Sequence, residues 1–176
     1  LELFHEARIV CSACIGGEIP RKILNEQIEE AEKAIKWFKR VFGEDYYLEL
    51  QRHEVTDPEI RANRDTFSLQ QTANKVIVEL ARKHGVKLIC TNDVHFVEEE
   101  NAEAHDRLIC LSTGRDLNDP NRMLYTKQEW FKTRAEMNRI FSDIPEALEN
   151  TCEICDKVEV YSINHGPIMP NFDIPQ

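Results

Sequence analysis

Val86-Lys87-Leu88-Ile89-Cys90-Thr91-Asn92-Asp93-Val94-His95 is an apolar run of strand length that breaks off into an amide, a carboxylate and an imidazole. Two other runs have the same length and character, Ala7-Arg8-Ile9-Val10-Cys11 before the Gly16-Gly17 turn, and Tyr46-Tyr47-Leu48-Glu49-Leu50-Gln51. They recur roughly every 40 residues, which is strand spacing with a helix in between. The gaps carry helical periodicity. Leu24, Ile28, Ala31, Ile35, Phe38 and Phe42 form one apolar stripe, closed by Gly43. Leu69, Ala73, Val76 and Leu80 form a second, closed by Gly85. Strand and helix therefore alternate three times. Parallel strands joined by crossover helices follow, hence an α/β sheet or barrel.

Outward from this unit the pattern changes. Thr56–Ser68 is polar and aperiodic, and reads as a loop that could lie over a site. After Gly114 comes a turn-rich connector, Leu117-Asn118-Asp119-Pro120-Asn121, and then three capping-box spacings: Thr126-x-x-Glu129, Thr133-x-x-Glu136 and Asp143-x-x-Glu146. Each predicts the start of a short helix. Ile163–Gln176 holds three prolines and no period, and is expected to be extended. The chain has 176 residues and a net charge of −10, which argues against a broad phosphate-binding surface but leaves room for a small metal site. No apolar run is long enough to span a bilayer. Leu rather than Met at position 1, with the linker-like end, suggests a piece of a longer polypeptide.

Six cysteines invite a zinc reading, since Cys11-x-x-Cys14 and Cys152-x-x-Cys155 resemble two thiolate hooks. The hooks lie too far apart in sequence for a compact zinc module. Leu148, Cys152, Cys155 and Val158 instead fit one buried helix stripe, and Cys90 and Cys110 sit in apolar segments. The cysteines are read as core thiols.

Chemistry concentrates at Asp93 and His95. In extended chain, residues two apart point the same way, so this carboxylate and imidazole can converge on a divalent transition metal at a strand's C-terminal end. The plainer reading has Asp93 capping the next turn and His95 packing beside it. Glu49 interrupts an apolar strand and shares a face with Tyr47 and Gln51. A carboxylate turned inward there needs a partner or a metal, whereas one turned outward needs neither. His53 is a weaker candidate at the end of that strand. His105-Asp106 suggests a structural hydrogen bond, and Glu98-Glu99-Glu100 a solvated helix start. No serine sits in a nucleophile elbow, and Gly16-Gly17 lacks the lysine and hydroxyl of a phosphate loop.

Cys14-Ile15-Gly16-Gly17-Glu18-Ile19-Pro20, Tyr47-Leu48-Glu49-Leu50-Gln51-Arg52-His53 and Thr91-Asn92-Asp93-Val94-His95 together resemble the polymerase-and-histidinol-phosphatase (PHP) domain carried by bacterial replicative DNA polymerase III alpha subunits. Ala104-His105-Asp106, Leu117-Asn118-Asp119-Pro120-Asn121-Arg122 and Asp143-Ile144-Pro145-Glu146-Ala147-Leu148-Glu149-Asn150-Thr151 extend the resemblance to the C-terminus. It implies a (β/α)7 barrel related to the eight-stranded TIM barrel, with up to three metals, usually zinc or manganese, at the strand C-termini. Glu49, Asp93 and His95 match ligand positions. In some relatives that site performs 3′–5′ exonuclease proofreading. In others ligands are lost, and the domain supports the polymerase and binds a separate proofreading exonuclease.

The family's opening His-x-His motif would precede residue 1. The expectation is thus a partial barrel over 1–115, short helices joining it to a polymerase core over 116–160, and an extended linker over 161–176. Such a chain would hold its divalent metal weakly or not at all. It would self-associate through strand edges left without neighbours. DNA would be met through the parent polymerase, in the cytoplasm, with no membrane. A free-standing phosphatase of the same superfamily is the distant alternative, disfavoured by the helical tail.

Overall fold

The computed structural model describes residues 2–3, 5–55 and 61–170, leaving out the side chain at 63. Its centre is a three-stranded parallel sheet, β1 (Val10–Cys11), β2 (Tyr46–Leu50) and β3 (Lys87–Cys90), lying in sequence order. Tyr47 is opposite Lys87 and Leu50 opposite Cys90, while Val10 and Cys11 face Tyr46 and Tyr47. The alternation read from the sequence is the one that forms. Parallel pairing needs long crossovers, and helices supply them. Helix α1 (Glu18–Leu24) and helix α2 (Ile28–Phe42) join β1 to β2, and α3 (Ser68–His84) joins β2 to β3.

The first predicted stripe is split. Asn25–Gln27 turn the chain, with Glu26 at φ 60°, so Leu24 ends one helix and Ile28 begins the next. Gly43 and Gly85 close α2 and α3 with φ of 58° and 60°, backbone that costs glycine little. Tyr46, Leu48 and Leu50 point to one face of the sheet and join Ile19, Ile35, Ala73, Ile77 and Leu88 in the core. The predicted loop before α3 is helical where it is described, a π-helical turn over Asn63–Phe67; Thr56–Ile60 lie outside the described residues.

Beyond β3, Glu98 caps a short turn through a reciprocal box with Asn101, as its acidic run suggested, and α4 (Ala102–Thr113) follows. Of the three capping boxes, only Thr133 and Glu136 open a helix, α5 (Arg134–Ile140). Thr126 and Glu129 do bond each other, but Lys127 sits at φ 67°, which no helix tolerates, and the box closes a buried turn instead. Asp143 caps nothing: Arg52 takes its carboxylate in two bonds of 2.6 and 2.8 Å, and α6 (Pro145–Lys157) starts on Ile144 with Pro145 in its first turn.

The tail packs back on the same core through Phe141, Ile144 and Ala147. Cys152 and Cys155 are exposed, not core thiols. Helix α6 turns a neighbouring, polar stripe to the sheet. Asn150 bonds the Leu88 carbonyl, Thr151 the Cys90 amide, and Glu153 binds Lys87 and Tyr47. Backbone groups on the rim of β3 need hydrogen-bonding partners, and that requirement overrides the apolar spacing. The expected open edge on β3 is therefore covered. Residues 158–170 have no regular structure and are exposed; Asn171–Gln176, the end of the stretch expected to be extended, lie outside the described residues.

Candidate metal centre at the strand C-termini

Asp93 and His95 follow β3 directly. Their side chains meet with Nε2 of His95 3.7 Å from Oδ1 of Asp93, the His95 side chain 33% and the Asp93 side chain 40% exposed. They do not converge by strand alternation. Asp93 adopts φ 44°, a left-handed turn, and the next residues form a short parallel bridge with the 129–131 segment: the His95 amide donates to the Glu129 carbonyl at 2.8 Å, and Phe131 to Val97 at 3.1 Å. A left-handed aspartate is uncommon and persists where its surroundings hold it.

A buried amide–imidazole lock holds this one. The Asn92 amide donates to the carbonyls of Gln128 and Trp130 at 2.8 and 2.7 Å. His53 Nε2 is 3.0 Å from the Asn92 carbonyl oxygen and must donate to it. Gln70 completes the ring, accepting the His53 amide at 2.8 Å and donating to His53 Nδ1 at 3.0 Å. Both imidazole nitrogens are thus engaged in the neutral form. Burial pushes the His53 pKa below its ordinary value, in agreement. His53 therefore positions the turn and has no nitrogen left for a metal.

Around the couple the structure adds residues that no sequence period marked. The His95 ring lies 4.6 Å from Tyr125 and 5.5 Å from His105, and His105 also packs on Phe96. Burial first, then the neighbouring His95, lowers the His105 pKa. Burial, followed by the charges of Asp93, Glu129 and Cys14, raises that of Tyr125. The expected hydrogen bond at His105-Asp106 falls to Asp106, whose two oxygens take Arg122 at 2.5 and 2.9 Å. Glu129 is buried, with Oε1 accepting from Thr126 and Oε2 without a hydrogen-bond partner among the described residues.

Glu49 stands at the same end of β2. Its carboxylate accepts from Gln51 at 2.9 Å and from the Thr91 hydroxyl, two residues before Asp93. Its amide donates to Ser12 at 2.8 Å, which ties the rim of β1 to that of β2. Burial, then the Glu49 charge, raises the Cys11 thiol to about 11, so that thiol stays protonated. Among the described residues no three His, Cys, Asp or Glu side chains gather around one point fit for a metal ion. The donor types suit a divalent transition metal, and the 3.7 Å separation of Asp93 and His95 is near the roughly 3.4 Å that two ~2.1 Å bonds subtend at a tetrahedral centre. The number of donors falls short. Two converge, and Glu49 is held to one side by Gln51 and Thr91.

A parallel α/β sheet that presents a carboxylate–imidazole couple beyond its strand ends is the kind of frame a PHP domain uses, and the family profile described as PHP domain matches residues 1–53, through β2 and Glu49. The DNA polymerase III alpha subunit of Borreliella burgdorferi is 43% identical over 177 residues, covering 99% of this chain, and that of Campylobacter jejuni is 34% identical over 98% of it. That of Pseudomonas aeruginosa is 34% identical over 97%. The chain belongs to the DNA polymerase III alpha subunit family, in its PHP-containing part. It spans 14% of the length of these relatives.

Proposed function

We propose that the chain is one side of the PHP barrel of a replicative DNA polymerase, and that Glu49, Asp93 and His95 contribute to a metal-dependent phosphoesterase site of the proofreading type. The supporting observation is the Asp93–His95 couple at 3.7 Å, held beyond β3 with Glu49 on the adjacent strand end. When bound, a zinc or manganese ion supplies activation of water and neutralisation of phosphate oxygens. The chain's own part is positional. The Asn92–His53–Gln70 lock fixes the Asp93 turn, Tyr125 and His105 orient the His95 ring, and Thr91 and Gln51 set the Glu49 carboxylate. The polymerase reading brings DNA, replisome subunits including a proofreading exonuclease, and a cytoplasmic location. The division into 1–115, 116–160 and 161–176 is then one of role, since Phe141, Ile144 and Ala147 share the core of the sheet.

A second reading, a metal-free scaffold that supports the polymerase and docks a separate exonuclease, is favoured by the lack of a third converging ligand among the described residues. Metal titration separates them. Elemental analysis after dialysis is expected to find well under one ion per chain, and near-stoichiometric zinc or manganese would contradict an incomplete ligand set. With manganese added, Asp93→Asn and His95→Ala are each expected to weaken binding at least tenfold, on the order of the loss that follows even from altering a ligand's support. Variants that bind as the unaltered chain does favour the scaffold.

A further inference from the structure

Helix α6 presents two thiols to solvent. Cys152 and Cys155 lie three residues apart, about one turn of helix, and both are exposed. A free cysteine is among the residues most often buried, and two together on an outer face have no packing part to play. Their register is fixed from the other side of the helix. Asn150 donates to the Leu88 carbonyl at 2.8 Å, Thr151 accepts from the Cys90 amide at 3.2 Å, and Glu153 binds Lys87 and Tyr47. Lys157 fastens the last turn to Asp45 at 2.9 Å and to the Tyr47 hydroxyl at 2.8 Å. Turning the thiols inward would break all of these bonds. Glu149 and Asp156, three residues before and four after Cys152, are exposed on the same face and carry charge that favours a cation.

Helical spacing decides between the two things a pair of thiols can do. Residues three apart on a helix have Cβ atoms about 5–6 Å apart. A disulfide needs Cβ atoms about 3.5–4.5 Å apart, so closing one here would pull the last turns of α6 against the bonds that hold them. An ion with tetrahedral thiolate bonds of about 2.3 Å spans sulfurs about 3.8 Å apart. Two thiols at helical spacing lean that far together with the helix intact. The second hook read from the sequence does not complete the set. Cys11 and Cys14 are half-buried, and among the described residues no three His, Cys, Asp or Glu side chains gather around one point fit for a metal ion. Water is left to fill the remaining positions.

We propose that Cys152 and Cys155 form a two-thiolate chelate for a soft, closed-shell divalent cation of the zinc class, on the outer side of α6 and separate from the rim at Asp93 and His95. Binding exchanges two protons for one ion: each S–H bond breaks, its proton passes to solvent, and two sulfur–metal bonds form with no electron transferred. The sulfurs set the preference, since thiolates select soft ions whereas carboxylates suit manganese. The chelate does not rest on the phosphoesterase reading, and stands whether or not the rim binds metal.

The test is titration of the reduced chain with cadmium, whose bond to a thiolate absorbs in the ultraviolet and whose bonds to carboxylate and imidazole do not. The expected result is absorption that saturates at one cadmium per chain, is displaced by excess zinc, and survives in Cys11→Ser/Cys14→Ser and in Asp93→Asn. Cys152→Ser and Cys155→Ser should each weaken binding at least tenfold, because a single thiolate forfeits the gain of the linked second one. Full affinity in either of these variants overturns the proposal, as does absorption lost in Cys11→Ser/Cys14→Ser. Should a variant fail to fold, alkylation of the unaltered chain decides. Cadmium is expected to slow the alkylation of Cys152 and Cys155 together, at least tenfold, read site by site from peptide masses. Slowing confined to Cys11 and Cys14, or at neither pair, overturns it.

Discussion

Leu48→Ala is expected to lower the unfolding free energy by roughly 2–5 kcal/mol, the range for deleting a fully buried leucine side chain. Leu48 has no exposed surface and lies in the middle strand, opposite Leu88. Its side chain enters the core shared by α1, α2 and α3, so neither the sheet nor the helices can close over the space it leaves. A domain of this size is stabilised by only about 5–15 kcal/mol, so the variant should melt at markedly lower urea concentration. Ile35→Val, one methylene smaller at an equally buried place in α2, should lose only about 1 kcal/mol. A Leu48→Ala loss below that of Ile35→Val would mean β2 is not the centre of the core.

His53→Ala should cost about 3 kcal/mol, from a different cause. It strands the Asn92 carbonyl and the Gln70 amide in a buried place, and each buried group left without a partner costs about 1–3 kcal/mol. His53→Gln, which can still donate towards Asn92, should cost less. The larger consequence is local. Without the lock, Asp93 has less to hold φ at 44°, so its three-bond amide–α-proton coupling should move towards ordinary extended values in His53→Ala and stay in place in His53→Gln. The pH dependence follows from the same burial. The folded pKa of His53 lies below its unfolded value near 6.5, so the unfolded state takes up a proton first. The contribution of His53 is whole above pH 6.5 and falls as the pH drops from there towards the folded pKa. The His53→Gln variant should lack that component of acid sensitivity.

The strands and crossovers were legible because each obeys a local period: two in Tyr46, Leu48 and Leu50, and 3.6 in Ile28, Ala31 and Ile35. What local period cannot show is demand from elsewhere. The stripe through Cys152 and Cys155 has good helical spacing, yet the unpaired Leu88 and Cys90 backbone groups drew Asn150 and Thr151 inward and turned the cysteines out. Thr126-x-x-Glu129 had the spacing of a helix start, and Lys127 at positive φ cancelled it. At the site, Asp93 and His95 could be named because both carry metal-binding groups at a strand end. The geometry that unites them is a left-handed turn, and no alternation rule encodes it. Tyr125, His105 and Glu129 come to the couple through the bridge at Phe96 and Trp130, a pairing between distant segments with no mark in either one.

Manganese titration followed by amide NMR line broadening tests most directly whether a metal-binding rim exists where β2 and β3 end. The paramagnetic ion should first broaden the amides of Asp93, Val94 and His95, and next those of Leu50 and Gln51 beside Glu49. Broadening that starts at the acidic turn Glu98–Asn101, or that spreads evenly over the acidic helices while Asp93 and His95 stay sharp, would contradict the inherited site.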